Sequence, residues 1–348
     1  MKKSAFFLSI FLLTTLLISC IGQSKVISDS SKPKLKVLII DGQSNHGIWP
    51  KTTAMMKDYL VKTGMFSVEI YRTKYLWFGP HSQMDSSELV ANYNLYKLTD
   101  KPYELLPESK ADPDFAPVFS NYDVIVNNFG WKAEDWPAKT QKNFEAYMAN
   151  GGGMVLVHAA DNAFGQWVEY NKMIGLGGWG SRTKENGPYI YYSKENKITI
   201  DTSEGGCGSH GPQHEAVITI REPSHPIVKG LPTEWLHTTD EVYERLRGPG
   251  QNMTILATAY SGVDKVITEN SAKSGRTDRH EPMLMVLDYK KGRVFHITLG
   301  HSVLSFESVG LKTVFERGTE WAATGKVSQK MPANFPSKDK VSRVEWKQ

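Results

Sequence analysis

Residues 151–164, which read GGGMVLVHAADNAF, constrain the fold of this chain more than any other stretch. Three glycines end a preceding helical pattern, and the five residues 154–158 are almost wholly apolar. A strand that is covered by helices on both faces has such a continuous apolar run instead of an alternating one. We therefore predict a central parallel strand, followed by a turn that contains His158, Asp161 and Asn162. Because open α/β sheets bind ligands beyond the carboxyl ends of their strands, this turn is predicted to form part of a site.

Apolar strand patterns and amphipathic helix patterns alternate along the first half of the chain. Strand, helix and strand in this order indicate right-handed crossover units and hence a parallel sheet. More strand patterns and one long helix pattern follow in the second half, so the sequence predicts an α/β fold. In chain order we predict strands at 36–41, 66–72, 123–128, 154–158, 198–202, 216–221, 253–259, 283–289 and 293–299, and helices at 52–63, 137–150 and 306–323.

Three segments have no clear period. Residues 73–122 are rich in Tyr, Trp and Pro. A structureless segment of this length inside a domain is uncommon and usually functional, so we predict an insertion that forms a lid or rim. A disordered insertion is the alternative, against which the aromatic content argues. Residues 165–187 carry many Gly and Trp residues and are predicted to form a shaped loop, and residues 328–348 are predicted to be a polar tail.

The N-terminus has the features of an export signal. Two lysines precede an apolar core that is too short for a comfortable membrane span, and Cys20 follows in what resembles a bacterial lipobox. We predict a lipoprotein signal peptide at residues 1–19, a lipid on Cys20 and a polar tether at residues 20–34. The alternatives are an ordinary cleaved signal and an uncleaved anchor. The prediction implies an exported bacterial lipoprotein that faces the periplasm or the cell surface and contacts the membrane through its lipid.

Charge and cysteine content exclude two kinds of protein. The 41 Lys and Arg residues nearly balance the 37 Asp and Glu residues, and nucleic-acid binding needs a clustered basic face, so we expect no nucleic-acid partner. If Cys20 carries lipid, Cys207 is the one remaining thiol, and no internal disulfide framework is expected. Stability is then expected from an apolar core, which 40% apolar residues can supply.

Polar side chains that can carry chemistry occur in predicted loops at strand ends. A lone histidine is more often a structural residue than a ligand, so each of them has a structural alternative. The groups are Asn45 with His46, His158 with Asp161 and Asn162, His210 with His214, Asp240 with Glu241, and His280 with Glu281 and the later His301.

The spacing of His210 and His214 suggests a metal site, because imidazoles four residues apart on a helix can bind one ion. Gly211 and Pro212 lie between them, so a helix is not expected, although a loop can present both rings. Addition of Asp240 or Glu241 gives a mixed nitrogen and oxygen ligand set that suits a divalent metal, zinc or manganese. Against this interpretation, the sequence has no HExxH or cysteine-rich pattern.

Other chemistries lack their motifs. The chain has no GxSxG elbow, and His-Ala-Ala follows the central strand where a nucleophilic Ser or Cys is needed. Cys207 lies in GGCGS, which we interpret as a turn, with a reactive site as the alternative. The glycines at 151–153 precede their strand, whereas a dinucleotide fingerprint follows one, so NAD binding is not expected.

Eight short motifs follow one another in an order that carries a family resemblance. They are GQSNH, NGGGMVLVHAADNAF, MIGLGGWGSR, SHGPQH, SHPIVKGLP, TTDEVY, EPMLMVLDYKKGRVFHITLGH and EWAATGKV. Together they resemble the ThuA-like (trehalose utilisation) family, and we predict one such domain at residues 35–327. The resemblance implies a flavodoxin-like fold of the class I glutamine amidotransferase type, with a mostly parallel sheet and helices on both faces. Those amidotransferases have a Cys in the elbow after the central strand, where this chain has Val157-His158-Ala159, so glutaminase activity is not expected.

The resemblance also implies the use of disaccharides and glycosides, in particular of sugars oxidised at carbon 3. A 3-keto group acidifies the hydrogen on carbon 2, so that a base can remove it while an electrophile holds the enolate oxygen. The glycosidic oxygen then leaves by elimination. We therefore predict an enzyme that cleaves a small carbohydrate or glycoside by elimination or hydrolysis, with metal assistance as an option. The predicted catalytic residues are His46, His158, Asp161 and Glu241, and the predicted metal ligands are His210, His214 and Asp240.

Two other functions stay open from the sequence. One is a lipid-anchored protein that captures a glycoside without turnover, and the other is a glycoside hydrolase in which Asp161 and Glu241 face each other across the sugar. Tryptophan rings can stack on sugars or simply pack loops onto the core, and the sequence favours neither. The predicted substrate-binding residues are Asn45, Asn162, Trp49, Trp167 and Trp179.

Overall fold

A computed structural model describes residues 33–79, 85–262 and 277–348 of the chain. The predicted signal peptide at residues 1–19, the predicted lipid site Cys20 and the tether up to residue 32 lie outside the described residues. Residues Lys34–Gln348 form one unit.

A mostly parallel central sheet organises this unit, which confirms the predicted fold class. Its inner strands are buried because helices cover both faces, and this explains their continuous apolar sequences. Neighbouring strands in this part of the sheet are parallel. In spatial order they are β14 (Gly292–Ile297), β5 (Gly153–Val157), β4 (Val124–Asn127), β1 (Leu35–Gln43), β2 (Phe66–Trp77) and β3 (Glu104–Leu105).

Antiparallel strands extend the sheet beyond β14. The sequence does not predict the outermost of them, because its residues EWLHTTD bury His237 and Asp240 among apolar side chains and so hide the strand pattern. In spatial order the extension comprises β13 (Arg279–Tyr289), β12 (Met253–Ser261), β9 (His214–Ile220) and β10 (Glu234–Asp240). Beside it, β6 (Tyr189–Tyr192) pairs with β13 and β7 (Ile198–Asp201), and β8 (Ser209–His210) pairs with β11 (Tyr243–Glu244) in a separate ribbon.

Side chains that alternate along β1 divide the core between the two faces of the sheet. Val37 and Ile39 belong to the core that includes α1 (Trp49–Lys62) and α6 (Val309–Thr324). Leu38 and Ile40 belong to the other core, which includes α3 (Ala138–Ala149) and α4 (Val168–Ile174). Within the described ranges, no helix combines the length and the apolar character that crossing a membrane requires.

Two segments contain more regular structure than the sequence predicts. Residues 73–122 contain the end of β2, the helix α2 (Ser86–Leu95) and β3, and residues 165–187 contain α4. A capping box begins α2, since the Asp85 carboxylate accepts from the backbone N–H of Glu88 while the Glu88 carboxylate accepts from that of Asp85. This signal is present in the sequence and argues for a helix here.

The C-terminal region also differs from the prediction. The predicted helix at 306–323 corresponds to α6, which begins at Val309, and a separate short helix, α5 (Val303–Phe306), precedes it, because Ser308 between them has an extended backbone and caps α6. The tail packs on the domain instead of being merely polar. The Trp346 indole N–H donates to Asp58 at 3.0 Å, and the Trp346 backbone N–H donates to the Glu307 carboxylate at 3.2 Å.

Candidate active site

Three imidazoles and one carboxylate converge at one edge of the sheet. His46 follows β1, His158 directly follows β5, His301 follows β14, and Glu241 directly follows β10. One ligand atom from each of the four side chains lies within 4.8 Å of the other three. The ring centroids of His46 lie 4.9 Å from His158 and 4.8 Å from His301. The three histidines meet because the carboxyl ends of parallel strands share one edge of a sheet.

His158 occupies the sharp turn at the end of β5, where its neighbours fix its tautomer. Its backbone is left-handed, with φ of 48°, which costs roughly 1–2 kcal/mol for a residue that has a Cβ. Nδ1 lies 2.7 Å from the carbonyl oxygen of Thr298, and this oxygen only accepts, so Nδ1 carries the hydrogen. Burial, and then the neighbouring His301, lower the pKa of His158. The neutral ring therefore has its lone pair on Nε2, where it accepts a hydrogen bond from the Tyr243 hydroxyl at 2.9 Å.

Glu241 and His301 form an ion pair, with 3.0 Å between Oε2 and Nδ1. Burial alone lowers the pKa of His301, but the hydrogen bond to Glu241 and the charges of Glu241 and Asp240 outweigh burial and raise this pKa. Burial likewise raises the pKa of Glu241, but the bond to His301 and the neighbouring histidines outweigh it, so this pKa is lowered. The site thus places imidazoles with oppositely shifted pKa values side by side, an arrangement suited to proton transfer.

Asp240 is a buried support for the loops that carry two of these side chains. Its Oδ2 accepts from the backbone N–H of Gly300 and from Nε2 of His237, both at 2.8 Å. Its Oδ1 accepts from the backbone N–H of His301 at 3.0 Å and of Glu241 at 2.9 Å. Burial raises the pKa of Asp240, but the hydrogen bond from His237, the charges of the neighbouring histidines and the backbone hydrogen bond from His301 together outweigh burial and lower it. Asp240, which the sequence suggests as a metal ligand, instead holds Glu241 and His301 in place.

The two histidines of SHGPQH have different positions. His210 lies beside the cluster, with Nδ1 3.7 Å from Oε1 of Glu241. His214 pairs with Asp240 in the ladder between β9 and β10, and its Nδ1 lies 2.8 Å from the carbonyl oxygen of Pro212. His214 is not among the four converging side chains. The predicted ligand set of His210, His214 and Asp240 is therefore not assembled.

The group of His46, His158, His301 and Glu241 could hold a metal ion. Imidazole nitrogens and a carboxylate oxygen are a donor set that binds zinc in proteins. The contact between His158 Nδ1 and Thr298 is also of the kind that orients metal-binding imidazoles. The donor types and their supports therefore fit a divalent cation.

Comparison with known proteins identifies the family. The sequence matches the ThuA family, described as trehalose utilisation, over residues 36–322. A ThuA-like protein from Parabacteroides merdae ATCC 43184 is 36% identical, with 90% of this chain and 98% of that chain covered and a TM-score of 0.74. The chain belongs to the ThuA family. Its family description makes it a carbohydrate-related protein, as the sequence resemblance predicts.

Other comparisons add the fold alone. A ThuA-like protein from Bacteroides uniformis ATCC 8492 is 16% identical, with 86% of this chain and 95% of that chain covered and a TM-score of 0.52. Among curated proteins, none matches the sequence at a significant level.

In this ThuA-family protein, Asp161 and Asn162, which follow His158, are not among the four converging side chains. Asp161 is fully buried, and its Oδ2 lies 3.2 Å from Nε2 of His296. Asn162 is buried as well and donates through Nδ2 to the Tyr243 hydroxyl at 3.2 Å. Because the Asp161 carboxylate is fully buried, a sugar does not have access to it, and this counts against the hydrolase alternative that pairs Asp161 with Glu241.

Two of the three predicted sugar-stacking tryptophans lie in the apolar cores. Trp49 is 1% exposed, stacks on Phe78 at 5.1 Å between centroids and donates its indole N–H to the Trp77 carbonyl at 3.1 Å. Trp167 is 6% exposed and donates its indole N–H to Glu145 at 2.9 Å. These positions correspond to the packing alternative, because neither ring presents a free face.

Trp179 and Asn45 lie nearer the site. The Trp179 ring is half-buried, with its centroid 4.9 Å from that of Tyr243 and 6.0 Å from that of His210. Asn45 precedes His46, and its Oδ1 accepts from the Trp131 backbone N–H at 3.2 Å. Trp179 is thus placed beside the cluster, whereas Asn45 supports the loop that carries His46.

Cys207 has the environment of a structural thiol. Its Sγ donates to the Gly177 carbonyl at 3.3 Å, and burial raises the pKa of the thiol to about 11. A nucleophilic cysteine needs a lowered pKa. The structure therefore agrees with the interpretation of GGCGS as a turn.

Four residues of the site are absent from the predicted site residues. The sequence places His301 in a group with His280, apart from the catalytic candidates, and His237, Tyr243 and Thr298 are not among the candidates. Tyr243 and His237 lie within or near the motif TTDEVY, so their nearness to Glu241 is the available signal. Thr298 acts through its backbone carbonyl, for which side-chain identity gives no signal.

Proposed function

We propose that this ThuA-family protein cleaves glycosides or disaccharides that are oxidised at carbon 3. The observation that supports this function is the convergence of His46, His158, His301 and Glu241 at the carboxyl edge of the sheet. With a bound cation, such a group offers positive charge for an oxygen on carbon 3, and it lies next to the imidazole of His210, which can accept a proton. The family description, trehalose utilisation, supports the class of substrate.

The proposed reaction is an elimination. A base removes the hydrogen from carbon 2, and its electron pair forms an enolate whose negative charge lies on the oxygen of carbon 3. When the carbonyl forms again, a double bond joins carbons 1 and 2, and the bond from carbon 1 to the glycosidic oxygen breaks. The departing oxygen keeps that electron pair and takes a proton, which yields the alcohol. Addition of water to the double bond completes a net hydrolysis.

A divalent cation, zinc or manganese, is the proposed partner of the four converging side chains. Three nitrogen donors favour zinc, because manganese prefers oxygen. When bound, the cation supplies a Lewis acid for the carbon-3 carbonyl. Asp240 keeps His301 and Glu241 in place for this role through hydrogen bonds to their backbone N–H groups.

His210 is the proposed general base. Its Nδ1 lies 2.9 Å from the Gly211 carbonyl oxygen, so Nδ1 carries the hydrogen and Nε2 has the lone pair. Its side chain is 41% exposed, which leaves the ring accessible to a substrate. The sequence suggests His210 as a ligand and His46 and His158 as catalytic residues. We propose the reverse assignment, because His46 and His158 belong to the convergent group.

Trp179 is the proposed platform for a sugar ring. It borders Tyr243 and His210 and is half-buried, so part of its ring is available for a ligand. Aromatic faces bind the apolar faces of sugars through burial of CH groups. A sugar on Trp179 would lie next to the proposed base.

A lipid anchor on Cys20 and export from the cytoplasm are also proposed. The two lysines, the apolar core and the lipobox-like end at Cys20 support this localisation. Growth of the producing cells with an alkyne-labelled palmitate should label the wild-type protein and leave Cys20→Ala unlabelled. An unlabelled wild-type protein would contradict the anchor without affecting the proposed reaction.

A direct test of the reaction uses a nitrophenyl 3-keto-glucoside and purified protein that lacks the lipid. We expect nitrophenol release, its suppression by a chelator and its recovery with Zn²⁺. His158→Ala and His210→Ala should abolish release, whereas Cys207→Ala, which changes a side chain outside the site, should retain it. Reactions stopped early in heavy water should contain substrate with deuterium at carbon 2, because the base exchanges its proton with solvent and returns a deuteron to part of the enolate before the glycosidic bond breaks.

The same assay distinguishes the alternatives. Turnover of the unoxidised nitrophenyl glucoside at a similar rate would favour a conventional glycoside hydrolase. Saturable binding of the 3-keto-glucoside without product would favour a capture protein. Either result would refute the proposed elimination.

A further inference from the structure

Tyr243 makes the closest polar contact with the Nε2 atom of His158. Its hydroxyl lies 2.9 Å from Nε2, and the ring centroids of the two residues are 4.3 Å apart. The hydroxyl oxygen also accepts a hydrogen bond from Nδ2 of Asn162 at 3.2 Å. Tyr243 is 2% exposed, so water does not compete for its hydroxyl. The oxygen is thus held from one side by Asn162, and its hydrogen points at His158.

An imidazole nitrogen without hydrogen has one lone pair, in the plane of the ring. In His158 this nitrogen is Nε2, because Nδ1 donates to the Thr298 carbonyl. Oε2 of Glu241 lies 3.7 Å from Nε2 and belongs to the same convergent group. A cation that binds this group through Nε2 needs the lone pair that the Tyr243 hydroxyl now occupies.

We propose that the Tyr243 hydroxyl and a divalent cation are mutually exclusive occupants of the His158 Nε2 lone pair. This inference rests on the proposed function, which places the cation at His46, His158, His301 and Glu241. Without the cation, Tyr243 satisfies the buried nitrogen and keeps the ring in its orientation. Cation binding must break this hydrogen bond, so Tyr243 weakens cation affinity.

Release from His158 gives Tyr243 a second role. Asn162 still donates to the hydroxyl oxygen, so the hydroxyl hydrogen needs another acceptor, because buried polar groups are rarely left unpaired. When the cation and the substrate are bound, an oxygen atom of the substrate or of a water molecule becomes the acceptor for this hydrogen. Tyr243 is therefore a positioning residue for a bound oxygen atom in the loaded protein and a lock on His158 in the empty one.

Tyr243→Phe tests this inference through two effects of opposite sign. Loss of a hydrogen bond worth about 0.5–1.5 kcal/mol in the cation-free protein should tighten Zn²⁺ binding roughly 2- to 10-fold. Turnover of the 3-keto-glucoside should fall in the same variant, because phenylalanine lacks the hydroxyl that positions the bound oxygen. Zn²⁺ affinity is measured by competition with a chelating dye.

Tyr170→Phe is the matched control. Tyr170 is also fully buried, but its hydroxyl donates to the Ala160 carbonyl at 2.7 Å and accepts from Asn127 at 2.8 Å. Removal of the Tyr170 hydroxyl should leave the Zn²⁺ affinity of the protein unchanged. A Tyr243→Phe protein whose Zn²⁺ affinity equals or falls below that of the wild type would overturn the inference. A wild type that binds no Zn²⁺ would overturn the proposed cation itself, and with it this inference.

A measurement on the wild type removes dependence on the folding of the variant. With carbon-13 at the hydroxyl-bearing carbon of every tyrosine, Zn²⁺ titration should move one buried tyrosine resonance in step with occupancy. The same titration of His158→Ala should not move it. Zn²⁺ binding without any tyrosine shift would refute the release of Tyr243.

Discussion

Two buried acidic side chains near the site show how neighbours decide what a residue does. Asp240 accepts four hydrogen bonds and has a lowered pKa. Glu244 accepts from the hydroxyls of Ser209 and Ser261, yet burial and then the charge of Glu281 raise its pKa to about 7. The sequence suggests Asp240 as a metal ligand and does not single out Glu244, and the number of hydrogen-bond donors around each carboxylate explains why their pKa values shift in opposite directions.

Asp240→Asn should lower the free energy of unfolding by about 3 kcal/mol, because the amide group turns an N–H donor toward backbone donors inside the protein. Urea unfolding of the two proteins measures the difference. Asp288→Asn is the control, since Asp288 is exposed and its substitution should change stability by less than about 0.5 kcal/mol. If Asp240→Asn lowers the free energy of unfolding by no more than Asp288→Asn does, the role of Asp240 as a support is refuted.

Glu244 gives a prediction for pH dependence. Its raised pKa means that the folded protein holds the proton more tightly than the unfolded chain. The resulting stability is fully present below the ordinary carboxyl pKa of 4.5 and is lost as the pH rises to about 7. Glutamine stays neutral at every pH. As the pH rises from 4.5 to 7, the free energy of unfolding of Glu244→Gln should therefore increase by up to about 3 kcal/mol relative to that of the wild type. Urea unfolding of both proteins across this pH range measures the difference. If their free energies of unfolding change equally with pH, the pKa of Glu244 is not raised.

At the scale of elements, the distance between α6 and β14 depends on one glycine. A Cβ at Gly318 would lie 1.9 Å from a ring carbon of Phe295 on β14, so the helix and the strand approach closely here. The apolar pattern of α6 predicts that the helix is buried, but it does not reveal how near the strand lies.

Gly318→Ala should destabilise the protein by about 1–3 kcal/mol through overpacking against Phe295. Helix propensity alone predicts the opposite sign, a gain of about 1 kcal/mol. Gly206→Ala is the control, because no atom lies within 4 Å of a Cβ added there. Thermal unfolding measures both variants, and a stabilised Gly318→Ala protein would show that the ring moves away at little cost.

At the scale of the whole molecule, the site joins the two kinds of sheet. His46 and His158 follow strands of the parallel part, and Glu241 follows β10 at the far end of the antiparallel extension. Loops that are distant in both sequence and strand order thus meet at one cluster. A ligand held by this cluster links both parts of the sheet, so its binding energy adds to the stability of the whole domain.

Zn²⁺ at about 100 times its dissociation constant should stabilise the folded protein by about 2.7 kcal/mol, which corresponds to a rise in Tm of roughly 5 °C. His301→Ala should abolish this rise. In His225→Ala the rise should persist, because His225 packs on Trp321 away from the cluster. An equal rise in the His301→Ala protein would mean that Zn²⁺ binds elsewhere.

The sequence by itself determined the family, the fold class and most of the strands. Continuous apolar runs report burial on both faces, and the order of strands and helices restricts their connections. Two of the missed elements, β10 and α2, carry buried polar residues and a capping box, which apolar periodicity does not detect.

Only the tertiary structure decided which polar residues meet. The sequence offered His46, His158 and Glu241, but also His214, Asp161 and Asp240. Strand order, which is a property of long-range pairing, placed His301 in the cluster and left Asp161 buried beside His296. Between the neighbours Asp240 and Glu241, the direction of each side chain made one a support and the other a member of the cluster. Local patterns encode burial, whereas a site requires distant loops to converge, and that depends on packing of the whole chain.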